Sequence, residues 1–241
     1  LHRVDRRQRQ MCIRDSSDAG QIVTAEADEG AIWDSSIGYT YSYDTRRTGL
    51  DPTAGVLLEF GQDFAGLGGD ASFIKTRVRA IAQKLVFSEE VTLRATFEGG
   101  ALNYNEGSSR VTDRFFMGSS VMRGFEYAGI GPREVDEAND IDDGLGGNFF
   151  AVARFEAEFP LGLPEEYGIS AGVFYDVGTL WGLDKTNANV LYEDASLRHV
   201  IGVSLFWDTA IGPLRFNFTD ALVKEEFDRE QQFELTVSTR F

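Results

Sequence analysis

The sequence is poor in the residues that most often carry metal and acid–base chemistry. Its 241 residues include one cysteine, Cys12, and two histidines, His2 and His199. A single thiol excludes a disulfide within the chain and a metal site built from several cysteines. No nucleophile motif with a partner base is present, so we expect no catalytic residues, no metal site and no cofactor.

Long apolar runs and positive charge are also lacking. No stretch approaches the roughly 20 apolar residues of a membrane-spanning helix, which excludes a helical membrane protein. Lys and Arg number 23 against 39 Asp and Glu, which gives a net charge of -16. Binding to nucleic-acid phosphates requires a surplus of basic residues, so nucleic acid is not an expected partner.

The first 16 residues differ in composition from the rest of the chain. Residues 1–15 contain five arginines but no apolar segment and no small-residue cleavage site, so they do not form a secretory signal. We expect residues 1–16 to be a foreign or disordered leader, with a native basic arm as the alternative. The remainder has the length of a single all-β domain.

Alternating apolar and polar residues recur in nine segments separated by Gly, Asp, Asn and Pro. The segments are residues 31–44, 54–64, 71–87, 91–104, 148–160, 168–181, 197–208, 213–220 and 231–241. In the fourth segment Leu93 and Phe97 alternate with Arg94, so one face suits lipid and the other suits water. Most segments are longer than the five or six residues typical of a strand in a soluble domain. The pattern predicts an all-β protein, an antiparallel transmembrane β-barrel.

The connection formed by residues 105–147 is much longer than the others. Long loops without regular structure usually have a function. Outer-membrane barrels have short periplasmic turns and long extracellular loops, so we expect this loop to start on the extracellular side. Its acidic part, residues 134–143, is expected to be solvated, and Asp140, Asp142 and Asp143 could hold a cation only weakly.

The most informative stretch lies in the middle of this loop. Residues 118–125 have the sequence Gly-Ser-Ser-Val-Met-Arg-Gly-Phe. The Arg-Gly-Phe core resembles the loop-six motif of the BamA and TamA superfamily of bacterial surface antigen barrels, although Met122 stands where Val or Leu is usual. Four later stretches resemble that family in the same order: Gly-Gly-Asn at 146–148, the strand of Glu156 that ends in Phe159 and Pro160, Phe-Tyr-Asp-Val-Gly-Thr at 174–179 and Ile-Gly-Pro-Leu at 211–214.

The resemblance covers residues 31–241 and corresponds to the last nine strands of a sixteen-stranded barrel. It implies that residues 17–241 are the C-terminal part of an outer-membrane β-barrel domain. We therefore expect an open half-barrel of about nine strands, in which the first and last strands do not pair. The odd strand number agrees with this, because bacterial single-chain barrels normally have an even number.

In this family the long loop folds back into the barrel, where its arginine reaches acidic residues on the next two strands. The resemblance therefore implies a loop latch formed by Met122, Arg123, Gly124 and Phe125, with Glu156 and Asp176 as its partners in the lumen. The alternation independently turns both carboxylates inward. A guanidinium can bridge two carboxylates. The alternative is that Arg123 only packs the loop and has no part in gating.

The last segment carries a second family feature. Phe233, Leu235 and Val237 lie on one face of it, and Phe241 ends the sequence. This pattern resembles the β-signal of outer-membrane proteins. The resemblance implies that residues 231–241 form the C-terminal gate strand of the barrel.

The resemblance implies a function without enzyme chemistry. A protein of this kind is an assembly factor of the bacterial outer membrane, which inserts and folds outer-membrane proteins through a lateral gate. The implied partners are outer-membrane protein substrates, the lipid bilayer with its lipopolysaccharide, and accessory lipoproteins that bind periplasmic domains absent from this chain. The alternatives are a TamA-like or two-partner secretion transporter of the same superfamily and a passive porin-like barrel.

Overall fold

The computed structural model describes residues 19–46, 54–66, 68–87, 90–209 and 212–237, without the side chain of Glu165. The elements in chain order are α1 (Gln21–Asp28), β1 (Ser36–Asp44), β2 (Gly55–Ala65), β3 (Ser72–Val86), β4 (Val91–Glu106), β5 (Arg133–Asp136), β6 (Ile141–Gly144), β7 (Phe149–Pro160), a 3-10 turn (Glu165–Tyr167), β8 (Ile169–Trp181), β9 (Val190–Leu191), β10 (Arg198–Thr209), β11 (Gly212–Val223) and β12 (Phe233–Val237). Within these ranges no helix is long and apolar enough to cross a membrane. The predicted leader, residues 1–16, lies outside the described residues.

Nine strands form one antiparallel sheet in the order β1-β2-β3-β4-β7-β8-β10-β11-β12. Each of the nine segments predicted from alternation coincides with one of these strands. Strands β4 and β7 pair directly although the long loop separates them in sequence. In the described part of the chain β1 and β12 do not pair, so the sheet is open. The prediction of an open, nine-stranded antiparallel sheet is confirmed.

The first strand starts later than the alternation predicted. It begins at Ser36 and not at residue 31, because the residues before it connect α1 to the sheet. The backbone N–H of Trp33 donates to Asp70, and the N–H of Gly66 donates to the carbonyl of Ser35. These bonds tie the connection to the turn between β2 and β3.

One face of the sheet is a broad apolar surface. Successive side chains of a strand point to opposite faces, so every second residue contributes to this surface. Exposed members include Leu58, Phe60, Leu93, Phe97, Phe155, Val173, Ile201, Val203, Leu205, Trp207, Phe218 and Leu222. Soluble monomers rarely expose contiguous apolar patches of this kind. The outer face is therefore suited to lipid hydrocarbon.

The inner face of the sheet holds the main core of the protein. The long loop contributes Phe115, Met117, Met122, Phe125 and Ile130, and the strands contribute Leu102, Val152, Phe174, Leu180 and Val200. The core therefore forms between a loop and a sheet, and it fills the lumen side at the end where β4 leads into the loop.

A small cap covers the same end of the sheet. It consists of α1 and a three-stranded sheet in the order β6-β5-β9. Ile22 and Val23 of the helix pack with Leu145 and Val190 in a second core. These elements were not predicted from the sequence, because each is too short to show a clear period.

The acidic part of the loop is only partly solvated, which corrects the expectation for residues 134–143. Glu134 is 1% exposed. Its carboxylate accepts hydrogen bonds from the backbone N–H of Ile22 and from the side-chain amide of Asn187. The expectation was wrong for Glu134 because its partners lie in segments far away in sequence.

The outer face provides a test of its contact with lipid. In the complete barrel, meaning this chain with the strands that close its sheet, Val203→Arg should lower the free energy of unfolding in lipid vesicles by about 2–4 kcal/mol, since it places a charge in hydrocarbon. Val203→Leu keeps the surface apolar and is the matched control. Unfolding in urea, followed by tryptophan fluorescence, measures both. Equal stability of the two variants would contradict the assignment of this face.

Candidate functional site

Arg123 lies on the inner face of the sheet between two carboxylates. Its Nε and Nη2 donate to the two oxygens of Asp176 at 2.7 and 2.5 Å, and its Nη1 donates to Oε2 of Glu156 at 2.5 Å. The backbone N–H of Arg123 also donates to Asp176 at 3.2 Å. The side chain of Asp176 is fully buried, and those of Arg123 and Glu156 are 7% and 5% exposed. This is a buried, bidentate ion pair extended by a second carboxylate.

Side chains alternate between the two faces along each strand, and this alternation places both carboxylates on the inner face. Glu156 lies on β7 between the partly exposed Phe155 and Ala157, and Asp176 lies on β8 next to the exposed Tyr175. The two strands are neighbours, with Arg154 opposite Asp176 and Glu156 opposite Phe174. The guanidinium of Arg123 lies 3.6 Å from the centre of the Phe174 ring. A single guanidinium thus contacts two carboxylates and one aromatic ring of the sheet.

The predicted latch residues next to Arg123 pack tightly against the strands. Met122 and Phe125 are both fully buried. Gly124 has φ = +90°, and a Cβ at this position would approach Val200 Cγ1 to 2.8 Å. Only glycine adopts this conformation at low cost, and only glycine leaves room for the strand. The structure therefore brings all four latch residues to the inner face with Glu156 and Asp176.

Backbone bonds fix the loop to the connection between β11 and β12. The N–H of Gln231 donates to the carbonyl of Gly124, and the N–H of Glu126 donates to the carbonyl of Arg229. That connection is itself held by Arg198 at the start of β10, which donates twice to Asp228, and both of these side chains are fully buried. The loop is therefore tied to the last two strands of the sheet as well as to β7 and β8.

Glu156 has two further cationic partners, which the sequence did not identify. Arg94 Nη1 of β4 donates to its Oε1 at 2.8 Å, and Arg215 of β11 donates to its Oε2. Together with Arg123, three guanidinium groups surround one carboxylate. Alternation turns Arg94 and Arg215 inward and could have placed both in the lumen. It could not have shown that they reach Glu156. A cleft of about 480 Å³ lies beside this cluster.

Another buried ion pair fixes the cap. Arg114 Nη2 donates to Glu26 Oε1 at 2.5 Å, and these side chains are 0% and 3% exposed. The second oxygen of Glu26 accepts the backbone N–H of Val111. Glu26 lies on α1 before the first predicted strand, so nothing in the alternation pointed to this pair. It joins the helix to the first part of the long loop.

Two of the three loop aspartates that could have held a cation, Asp142 and Asp143, have partners within the chain. Asp142 pairs with Arg133 at 2.7 Å and with Arg229 at 2.9 Å. Asp143 accepts the backbone N–H of Gly20. Burial lowers the pKa of Arg133, against the opposing effect of Asp142. Among the residues that the structure describes, no group of three or more His, Cys, Asp or Glu side chains is placed to hold a metal ion.

The terminal strand presents its predicted apolar residues on the outer face. Phe233, Leu235 and Val237 are each about half exposed. The Phe233 ring packs 5.3 Å from the ring of Phe218 on β11. Phe241, the fourth residue of the predicted β-signal, lies outside the described residues.

Comparison with known proteins gives consistent matches. A family model described as the Omp85 superfamily domain matches residues 3–241. The chain is 34% identical over 208 residues to the outer membrane protein assembly factor BamA of Neorickettsia risticii, covering 86% of this chain and 27% of that protein. It is 31% identical over 204 residues to a SAM50-like protein of Schizosaccharomyces pombe, covering 80% of this chain and 41% of that protein. The chain thus spans less than half the length of either curated relative.

A solved structure shares the fold. The crystal structure of BamA from Haemophilus ducreyi, lacking POTRA domains 1–3, superposes with a TM-score of 0.72 at 20% sequence identity. The match covers 86% of this chain and 42% of that chain. The partial coverage of the larger protein agrees with an open sheet that represents only part of a barrel.

The Arg123 ion pair provides a stability test. Arg123→Ala in the complete barrel should lower the free energy of unfolding by about 3–5 kcal/mol, because two buried carboxylates lose a guanidinium partner. Arg110→Ala is the matched control in the same loop, because Arg110 pairs with the more exposed Glu29 and such pairs contribute about 0–1 kcal/mol. Denaturant unfolding measures both. A loss for Arg123→Ala no larger than that of the control would contradict the importance of the buried pair.

The cap provides an independent test. Arg114→Met should leave the buried Glu26 carboxylate without its guanidinium, so the amides of residues 21–28 should exchange hydrogen faster. Lys185→Met is the control, because it removes a more exposed ion pair with Glu29, the residue that follows α1. It should change the exchange of residues 21–28 very little. Mass spectrometry of hydrogen exchange compares the two variants. Wild-type exchange of residues 21–28 in Arg114→Met would show that other contacts are sufficient to hold the helix.

Proposed function

Because this chain belongs to the Omp85 superfamily, we propose that it is the C-terminal part of an outer-membrane β-barrel that inserts and folds other β-barrel proteins. The names of its relatives support this: BamA of Neorickettsia risticii and of Nitratidesulfovibrio vulgaris are outer membrane protein assembly factors. The human relative is a sorting and assembly machinery component 50 homolog. The proposed location is the bacterial outer membrane.

The proposed role requires a strand edge of the complete barrel that can pair with client proteins. An unpaired backbone group in hydrocarbon costs several kcal/mol, so a new strand inserts more easily if an existing edge can pair with it. We propose that β12 forms one side of such a lateral gate. The other side would come from strands of the complete barrel that lie outside this chain. No covalent step is needed.

The observation that carries the proposal is the buried contact of Arg123 with Glu156 and Asp176. It supports a latch that holds the long loop inside the lumen while the gate strands exchange partners. The proposed partners are outer-membrane protein substrates and the lipid bilayer with its lipopolysaccharide. Accessory lipoproteins would bind through periplasmic domains absent from this chain.

An insertion assay tests the proposal. Liposomes that contain the complete barrel should accelerate the folding of an added, urea-unfolded outer-membrane protein, detected by its resistance to protease. Arg123→Ala should slow this reaction by about tenfold, which corresponds to about 1.4 kcal/mol in the barrier. Arg110→Ala, in the same loop, should retain the wild-type rate.

Two outcomes would contradict the proposal at different levels. Liposomes that conduct ions without accelerating client folding would indicate a passive porin-like barrel. Full acceleration by a correctly folded Arg123→Ala variant would show that Arg123 only packs the loop.

A further inference from the structure

A chain of hydrogen bonds leads from the Glu156 carboxylate to the last described strand. Arg215 donates from Nη2 to Glu156 and from Nε to Oδ1 of Asn217, the latter at 2.8 Å. The side-chain amide of Asn217 then donates to Oε2 of Glu234 on β12 at 3.0 Å. Ser204 of β10 supports the centre of this chain, since its hydroxyl donates to Oδ1 of Asn217 at 2.7 Å.

The chain of bonds crosses the inner face of the sheet. Arg215 lies on β11 and Glu156 on β7, and two other strands, β8 and β10, lie between them. The guanidinium of Arg215 also stacks over the Phe206 ring at 4.8 Å. Asn217 and Ser204 are buried, at 2% and 3% exposure. The planar guanidinium fixes the directions of its Nε and Nη2 donors toward these two partners, and the single ammonium nitrogen of a lysine does not reproduce that geometry.

The row of hydrogen bonds ends at Glu234, where β12 is attached to the sheet. Strand β12 pairs with β11 over five residue pairs in the described region, from Leu214 opposite Val237 to Phe218 opposite Phe233. Asn217 stands directly opposite Glu234 in this register. The side-chain bond between them therefore adds to this ladder from the inner face.

We propose that Arg215 is a positioning residue that couples the latch to the terminal strand. It holds Glu156 in place for Arg123 and orients Asn217 toward Glu234, so that weakening either end loosens the other. This inference rests on the proposed function, in which β12 borders the gate. Coupling between two sites is reciprocal in binding free energy, so a change in β12 must be detectable at the latch.

Hydrogen exchange in the complete barrel, without any client protein, tests the coupling. Glu234→Ala should speed exchange at residues 120–126 by about fivefold or more, the usual lower range for coupled sites. Glu59→Ala is the matched control: Glu59 lies on β2, next to the other edge of the sheet, and its carboxylate is 3.8 Å from Arg79. Exchange in the β3–β4 hairpin should stay at the wild-type level in both variants, which verifies that the barrel is folded.

Two variants of Arg215 distinguish positioning from charge alone. Arg215→Met should speed exchange at both the latch and β12, and adding Glu234→Ala should produce no further increase at the latch. Arg215→Lys keeps the charge but not the planar arrangement of two separate donor nitrogens, so it should behave like Arg215→Met.

Several results would overturn the coupling. One is wild-type latch exchange in Glu234→Ala, and another is wild-type exchange in Arg215→Lys. The third is a latch exchange rate in the double variant that is raised by the product of the two single-variant effects. The insertion assay is a separate readout. Coupled exchange without any insertion activity would reject the proposed function alone, whereas normal insertion with uncoupled exchange would reject only the role of Arg215.

Discussion

The buried contact between Arg123 and its two carboxylates is the interaction on which the inner face of the sheet depends. Removing a guanidinium from water is costly unless other groups replace its hydration. Asp176 and Glu156 do so from neighbouring strands, and the Phe174 ring covers one face of the group. The loop therefore cannot withdraw from the lumen without separating buried charges. Met122 directly precedes Arg123 in sequence, and Phe125 follows it by two residues. Anchoring Arg123 therefore also brings these two apolar side chains to the inner face.

The same loop is fixed at two other points, and each uses a different kind of contact. At the cap, Arg114 and Glu26 form a buried ion pair between the loop and α1. Beyond Arg123, backbone bonds join residues 124–126 to residues 229–231. A segment without long elements of its own is thus ordered by partners that are distant in sequence. The outer face shows no such specificity, since it needs only to remain apolar.

The features that could be predicted from the sequence are those that depend on local pattern. A period of two identifies a strand, and it also states which face each side chain occupies, so the inward direction of Glu156 and Asp176 followed directly. The distance between two inward side chains cannot be derived from this alternation. Whether Arg215 reaches Glu156 depends on the curvature of the sheet across two intervening strands. The cap was missed because its elements are too short to show a period, and its contact between Ile22 and Glu134 joins residues separated by 112 positions.

The pairing of β4 with β7 has a consequence for the order in which the protein folds. The loop between these strands is complete in the chain before most of its partners exist, because Asp176, Val200 and Gln231 all come later in sequence. Contacts of such long range form slowly, since a large loop must close before any of them is made. Hairpins can therefore be added one after another along the sheet, whereas the contacts of the loop with Val200 and Gln231 require the later strands. We therefore expect the interior to be filled late, together with completion of the sheet.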